Sequence, residues 1–451
     1  MKQLKVRSYD DDLCPTAKIG AKVYHVKGAI ENEIVNTKEY AVEGRHVYSQ
    51  VTEVIKASEH RATPKCGLCD ACGGCTLMHV DYGEQLSIKK RHIQKILSSV
   101  ADPDIVKDCV GLSQFETRNK LHLVFGGKVG NVKLGFFNSA TKKVVDVKNC
   151  VCHPDWYSRL YNILKKWADE HKLSVYDPKT SKGLLRFAAA RVLDGGIMLT
   201  LVVTSEKLCE NKDKTNACID SLYLALKESF ERVSLWLNLN KEHTNEVMSG
   251  RIEHLRGEKT LSATMLDTNI VLRPTSFFQV NTEVASRIYS DVLELSRKSG
   301  SSVMVDCFSG IGVTSLMFSK HFEKVISIEI VQSAVACAKD MARLNNVQNI
   351  EFICADANKV LPTLKIGGRS TFFVDPPRAG LGEKICRSIL KFAPSQIVYL
   401  SCNPVTLKRD LEFLCEEKYK VEMVRPYDMF PNTKHIETLV CLTRNEKYER
   451  K

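Results

Sequence analysis

The sequence has no run of about 18 apolar residues, the length a membrane-spanning helix needs, so a transmembrane protein is not expected. It has no internal repeat and no low-complexity stretch, which excludes solenoid and collagen-like architectures. The opening Met1-Lys-Gln-Leu-Lys-Val-Arg7 leads into Asp10-Asp11-Asp12 without an apolar core, so no secretory signal is expected. A cytoplasmic chain with reduced thiols follows as the expectation. Neither sign of charge dominates: 65 Lys and Arg face 53 Asp and Glu, for a net +12. That excess suits a polyanionic partner and equally a plain solvated basic surface. Hydrophobic residues at 44% and charged residues at 26% exclude intrinsic disorder. At roughly 150 residues per domain, the 451 residues hold about three domains.

Cysteine is what the chain has in excess, with 17. Most, such as Cys337, Cys386, Cys415 and Cys441, read as small buried apolar side chains. Four do not. Cys66, Cys69, Cys72 and Cys75 fall within ten residues. A zinc ribbon separates its cysteine pairs by about 15–20 residues, and here two intervene. A tight loop suits the corners of an iron–sulfur cluster better. Spacing alone does not choose the ligands.

Residues 1–62 hold short β-like runs (22–26, 46–48, 51–55) punctuated by Gly20, Gly28 and Gly44, which predicts a small N-terminal β-barrel. Residues 63–270 read as a mixed α+β domain behind the cysteine loop. Helical patterns fall at 82–97, 157–168 and 218–231, with apolar alternation at 197–203. Within it, residues 81–150 hold 12 Lys/Arg against 7 Asp/Glu, and the 115–122 stretch mixes basic and stacking side chains as RNA-contacting segments do. From 271 to 451, apolar strands at 303–305, 325–328, 350–353, 372–374 and 397–400 alternate with helices at 331–345 and 383–391. That alternation predicts a Rossmann-like α/β sheet with ligands at the carboxyl ends of the strands.

The strand ends carry the chemistry. The first runs into Asp306-Cys307-Phe308-Ser309-Gly310-Ile311-Gly312. Glu329 follows the second strand, placed to hold two ribose hydroxyls, and Asp356 follows the third, placed to reach an adenine amino group. A dinucleotide site would want a third glycine where Ser315 stands, so an adenosyl ligand without phosphates, such as S-adenosylmethionine, fits better. The fourth strand ends in Asp375-Pro376-Pro377-Arg378-Ala379-Gly380 and the fifth in Ser401-Cys402-Asn403-Pro404. Cys402 at a strand tip is a candidate nucleophile. Only its thiolate would react, and Arg378 is a candidate source of the positive charge that favours it. Near the C-terminus, His435 and Glu437 alternate with Ile436, which puts them on one face of a strand; Glu437 is a candidate base.

These segments, together with Phe277-Phe278-Gln279-Val280-Asn281, resemble the signatures of the RNA uracil-C5 methyltransferases, in order and over nearly the whole chain. The resemblance implies a class I S-adenosylmethionine-dependent domain at the C-terminus. It implies that Cys402 attacks C6 of uracil, that C5 takes the methyl group, and that Glu437 removes the C5 proton. Gln279, Phe308, Glu329, Asp356 and Asp375 would line the cofactor and uracil pocket. A [4Fe-4S] cluster would be held by Cys66, Cys72, Cys75 and Cys150. The first 60 residues resemble the TRAM domain, an OB-like RNA-binding barrel. The resemblance favours 23S ribosomal RNA as substrate, with transfer RNA as the alternative and a monomer as the working form. A non-catalytic RNA-binding assembly factor is the rival reading; the joint presence of Cys402, Glu437 and the Asp375 segment speaks against it.

Overall fold

A computed structural model describes residues 1–138, 141–242, 246–366 and 369–445. Its strands form three large sheets and one hairpin. The first sheet comprises β1 (Lys2–Lys5), β2 (Ser8–Tyr9), β3 (Pro15–Ile19), β4 (Lys22–Lys27), β5 (Ile34–Glu43) and β6 (His46–Lys56), in the order β1-β5-β6-β4-β3-β2. Three register shifts bend the long β5–β6 pair. Bulges increase strand twist, and the sheet curls into a half-barrel around Leu4, Val6, Tyr24, Val26, Val35 and Val47. The order is open, with β1 and β2 at its edges.

Helix α1 (Tyr82–Ile96) follows, N-capped by Asp81, whose carboxylate accepts from the Glu84 N–H. Its apolar stripe of Ile88, Ile93 and Ile96 packs into the core of the C-terminal sheet. In that contact Lys89 meets Asp428 at 2.5 Å, and neither side chain is exposed. Removing one partner of such a pair leaves an uncompensated buried charge. Lys89→Ala is therefore expected to cost about 3–5 kcal/mol, read as a lower urea midpoint for the C-terminal unit.

The second sheet contains β7 (Lys120–Lys128), β8 (Asn131–Phe137), β9 (Val144–Asp146), β10 (Leu185–Leu193), β11 (Gly196–Val203), β12 (Arg232–Leu239) and β13 (Arg251–Gly257), ordered β13-β12-β11-β10-β7-β8-β9. Helices α2 (Trp156–Glu170) and α3 (Lys212–Lys227) pack on one face. Every residue of β11 is buried. Ile197, Leu199, Leu201 and Val203 face the helices, while Met198 joins the core shared with the C-terminal unit. The strand is thus covered on both sides. Within the 115–122 stretch Glu116 is exposed, while Asn119 and Leu121 are buried. Asn119 donates to the Gln279 carbonyl at 3.0 Å, and burial lowers the His122 pKa to about 4.

A hairpin of β14 (Leu261–Met265) and β15 (Thr268–Leu272) packs with the C-terminal core. After α4 (Thr282–Arg297) come β16 (Val303–Cys307), α5 (Val313–Ser319), β17 (Lys324–Glu329), α6 (Gln332–Leu344), β18 (Ile350–Cys354), α7 (Ala357–Val360), β19 (Ser370–Val374), α8 (Gly382–Phe392), β20 (Gln396–Ser401), α9 (Pro404–Glu417), β21 (Tyr419–Tyr427) and β22 (Glu437–Arg444). The strand order is β18-β17-β16-β19-β20-β22-β21. The strands from β18 to β20 are parallel, and β22 is antiparallel to both β20 and β21. The chain winds outward from β16 in both directions, so the crevice beyond β16 and β19 is the topological switch point where such sheets bind ligands. No helix among the described residues is long and apolar enough to cross a membrane.

Candidate active site

Beyond β16, the Gly310–Gly312 turn opens toward the crevice. Gly312 has φ +82, and a Cβ there would stand 2.8 Å from the Cβ of Ala338; only glycine lets α5 pack this close to α6. Phe308 also has positive φ, at 63, a conformation uncommon for a bulky side chain and worth a functional reading. The Gly310 N–H donates to Glu329 Oε2 at 3.0 Å and the Val331 N–H donates to Oε1 at 2.8 Å. Glu329 is therefore fixed at the tip of β17 beside the glycine turn. Asp356 sits after β18, where its Oδ1 caps α7 by accepting from the Asn358 N–H at 2.9 Å. Gln279 is buried and hydrogen-bonds Tyr289.

Asp306 is a residue the sequence reading passed over. It is fully buried and accepts from Thr314 and Ser315 through Oδ2, while Oδ1 has no partner among the described residues. Burial pushes its pKa up to about 7. Its signal was in the sequence, an aspartate near a strand tip two residues before Phe308. An orphaned carboxylate oxygen, a glycine-lined approach and an acidic side chain at the next strand tip fit an adenosyl ligand carrying a cation.

The ends of β20 and β22 bring the candidate nucleophile and the candidate base together. Ser401, the last residue of β20, pairs with Thr438 of β22. Cys402 follows directly on β20 and Glu437 opens β22, so the end of the ladder brings the two close enough for Glu437 to act on the Cys402 thiol. Asp375 follows β19, the neighbour of β20. Burial raises Glu437 to about 8, helped by Asp375 and opposed by Arg378. Asp375 is pushed up to about 7 by burial and by Asp306. Burial, Glu437 and Asp375 raise the Cys402 thiol to about 11, with Arg378 pulling the other way. The sequence reading assigned Arg378 the task of favouring the thiolate. Its charge has that sign, but burial and two carboxylates outweigh it.

Arg378 is itself positioned. Its Nη2 donates to His435 Nδ1 at 3.1 Å, and its carbonyl accepts from Asn403 and Thr406. Burial first, then Arg378 and Lys434, lower His435 to about 4, so the ring is neutral and accepts. The loop ahead of Glu437 is held from the N-terminal side of the chain. Asn432, at φ 65, accepts from Gln114 at 2.8 Å and its carbonyl takes the Thr76 and Leu77 N–H groups. A cavity of about 200 Å³ opens at Cys402, walled by Arg378, Lys434 and His435 and by Asp11, Asp12 and His92. The last three come from the first sheet's loop and from α1, a juxtaposition that no sequence pattern announced.

The cysteine loop lies apart. Cys66, Cys69, Cys72, Cys75, Cys150 and Cys152 line one cavity of about 390 Å³ with Arg118 and Lys142. Cys75 Sγ and Cys152 Sγ are 3.6 Å apart. Cys152 accepts from Cys150 and Cys75, which lowers its pKa and raises theirs. An all-thiol donor set around one hollow, with cations beside it, fits an iron–sulfur cluster. Cys150 and Cys152 both reach it, as does Cys69.

Residues 259–445 match the family model described as tRNA (Uracil-5-)-methyltransferase. An uncharacterized RNA methyltransferase of Clostridium tetani is 34% identical, covering 94% of this chain and 92% of that protein. One from Halalkalibacterium halodurans is 30% identical over 98% and 96%. Among solved structures, the Pyrococcus abyssi tRNA (uracil-54, C5)-methyltransferase in complex with S-adenosyl-L-homocysteine matches with a TM-score of 0.79 and 25% identity, covering 98% of this chain and 99% of that one. With likeness on this scale along the whole chain, it belongs to the RNA uracil-C5 methyltransferase family.

Proposed function

We propose that the protein forms 5-methyluridine in RNA, with Cys402 as nucleophile and Glu437 as base. The observation that carries this is the placement of both side chains across adjoining strand ends, beside Asp375 and at the mouth of the switch-point crevice. Uracil C5 is a poor nucleophile. A Cys402 thiolate bonded to C6 converts the ring to an enolate, whose electron density returns at C5. S-adenosylmethionine supplies the electrophilic methyl group. Glu437 then accepts the C5 proton, and the C6–S bond breaks to restore the ring and release Cys402. Asp375 faces the same pocket as a hydrogen-bonding partner for the flipped base, which must leave its stack to reach the thiol.

Glu329 would hold the ribose hydroxyls, with Gln279, Phe308, Asp306 and Asp356 completing the cofactor cradle. Loss of a carboxylate that bonds two hydroxyls removes about 1.5–3 kcal/mol per charged hydrogen bond. Glu329→Ala is expected to weaken S-adenosylhomocysteine at least about ten-fold by calorimetry.

Cys402 and Glu437 would titrate as a coupled pair, because thiolate and carboxylate oppose each other. Glu437 carries its proton below about pH 8 and becomes a base above it. The rate of methyl transfer is expected to rise through that pH. Arg378 lowers both groups, so Arg378→Gln is expected to shift the rise to higher pH.

Cys66, Cys72, Cys75 and Cys150 would hold a [4Fe-4S] cluster that ties the loop to the central sheet. The methyl transfer moves no net electrons to or from the protein, so the cluster's task is structural. The N-terminal half-barrel serves as a TRAM-like RNA platform in this reading, and the enzyme works as a cytoplasmic monomer.

The family resemblance of the sequence favours 23S ribosomal RNA. Likeness to an enzyme named for tRNA, over nearly the full chain, favours transfer RNA as a second reading. Transfer of label from S-adenosylmethionine to undermodified ribosomal and transfer RNA, separated before nucleoside analysis, decides between them. Label in 5-methyluridine of one fraction names the substrate. RNA binding with no label in either would favour the assembly-factor reading.

A further inference from the structure

Three more soft ligands meet on the helical side of the central sheet, away from the catalytic cavity and the six-thiol hollow. His171 is the C-cap of α2, Cys209 lies in the turn before α3, and Cys218 is in the second turn of α3. Their ligand atoms all lie within 4.8 Å of one another. Cys218 is buried, and the other two are half-buried.

The three are held by one network. The Cys209 N–H donates to Thr215 Oγ1 at 3.1 Å, which anchors the turn to the helix one turn ahead of Cys218. Trp167, one turn before His171, donates its indole N–H to the Cys218 carbonyl at 2.9 Å. His171 Nε2 and Ser221 Oγ are 2.8 Å apart, and Ser221 also donates to the Cys218 carbonyl at 2.9 Å. A histidine whose ring is fixed by an outer hydrogen-bonding partner is the usual arrangement at metal sites. The hydrophobic core beneath needs neither an imidazole nor a second thiol at this point.

Two thiols and an imidazole are the donor set of zinc and other thiophilic divalent cations. Tetrahedral bond lengths place such ligand atoms roughly 3.6–3.8 Å apart, below the 4.8 Å within which these three lie. We propose that His171, Cys209 and Cys218 form a three-ligand site for a thiophilic divalent cation of the zinc type, completed by water in the open fourth position, that fastens α2 to α3. Binding forms two metal–sulfur bonds and one metal–nitrogen bond, and the two thiol protons pass to solvent. Burial and Cys209 hold the Cys218 thiol up at about 12 without the ion. The site pins the helical layer over β10–β12 and does not depend on the reaction proposed above.

The test uses the full-length, cluster-containing enzyme purified anaerobically, with zinc analysis and Cd²⁺ titration followed by the thiolate-to-metal charge-transfer band. Stoichiometric zinc is expected, and a Cd²⁺ band beyond that of the cluster thiols. Cys209→Ser, on a half-exposed turn, and His171→Asn are each expected to weaken metal binding by at least about a hundred-fold. They should lower the thermal midpoint of the metal-loaded protein while cluster absorbance and methyl transfer stay unchanged. Cys66→Ser should lose the cluster and keep the zinc. Unchanged zinc in Cys209→Ser, absence of bound metal in the wild type, or a Cys209–Cys218 disulfide in the purified protein would each overturn the proposal.

Discussion

Cys402→Ala is expected to lower methyl transfer by about 10⁴-fold or more with RNA affinity unchanged. The size follows from the chemistry. Without a bond at C6, C5 of uracil has no enolate to react from, and no neighbouring group can replace the sulfur. Affinity should hold because Cys402 adds an uncharged thiol to the cavity wall, while the positive charges there belong to Arg378 and Lys434. Single-turnover transfer beside filter binding separates the two quantities. Transfer by the alanine variant at even a tenth of the wild-type rate would remove Cys402 from the mechanism.

The second large effect is a double signature at Glu437. Glu437→Gln keeps the shape of the side chain and removes the base. Turnover is expected to fall by about 10²–10⁴-fold, and a covalent RNA adduct, methylated at C5 and still bonded through Cys402, is expected to accumulate. The same change should stabilise the fold, with a definite pH profile. The native carboxyl titrates near 8 and the unfolded one near 4.5. Between those values the native state holds the extra proton, so stability falls as pH rises. The wild type has its full stability below 4.5 and loses this contribution progressively up to about pH 8. Glutamine has nothing to ionise. The difference in thermal midpoint should be small in acid, grow across that window and level off above it. A variant that turns over freely without an adduct would contradict the assignment of the base; a flat stability difference would contradict the buried carboxyl.

Much of the C-terminal sheet was legible because its strands are short apolar runs between amphipathic helices. The strands expected at 325–328 and 350–353 form as β17 and β18, and the helix expected at 331–345 as α6. Parallel strands buried on both faces carry this signal strongly. The glycine turn, Glu329 and Asp375 were legible for the same reason, since the motif sits where each apolar run stops. The rest depended on long-range contacts. Nothing local to Lys89 announces Asp428, and nothing in 82–97 says that this helix packs on the C-terminal sheet. The partners lie 339 residues apart. The second cover of β11 was not legible because it comes from the C-terminal unit. The burial of Asn119 was not legible because its partner Gln279 lies 160 residues away. Arg378 was placed near Cys402 correctly by sign, but the opposing carboxylates and burial could be weighed only with the strands in register.

RNA carrying 5-fluorouridine tests the central claim most directly. Fluorine at C5 cannot leave as a proton does, so Glu437 has nothing to accept and the last elimination stops. After incubation with S-adenosylmethionine, peptide mass spectrometry should find a methylated fluorouridine joined through C6 to the peptide containing Cys402, in wild type and not in Cys402→Ala. Absence of any adduct from a protein that methylates normal RNA, or an adduct on a different cysteine, would contradict the account.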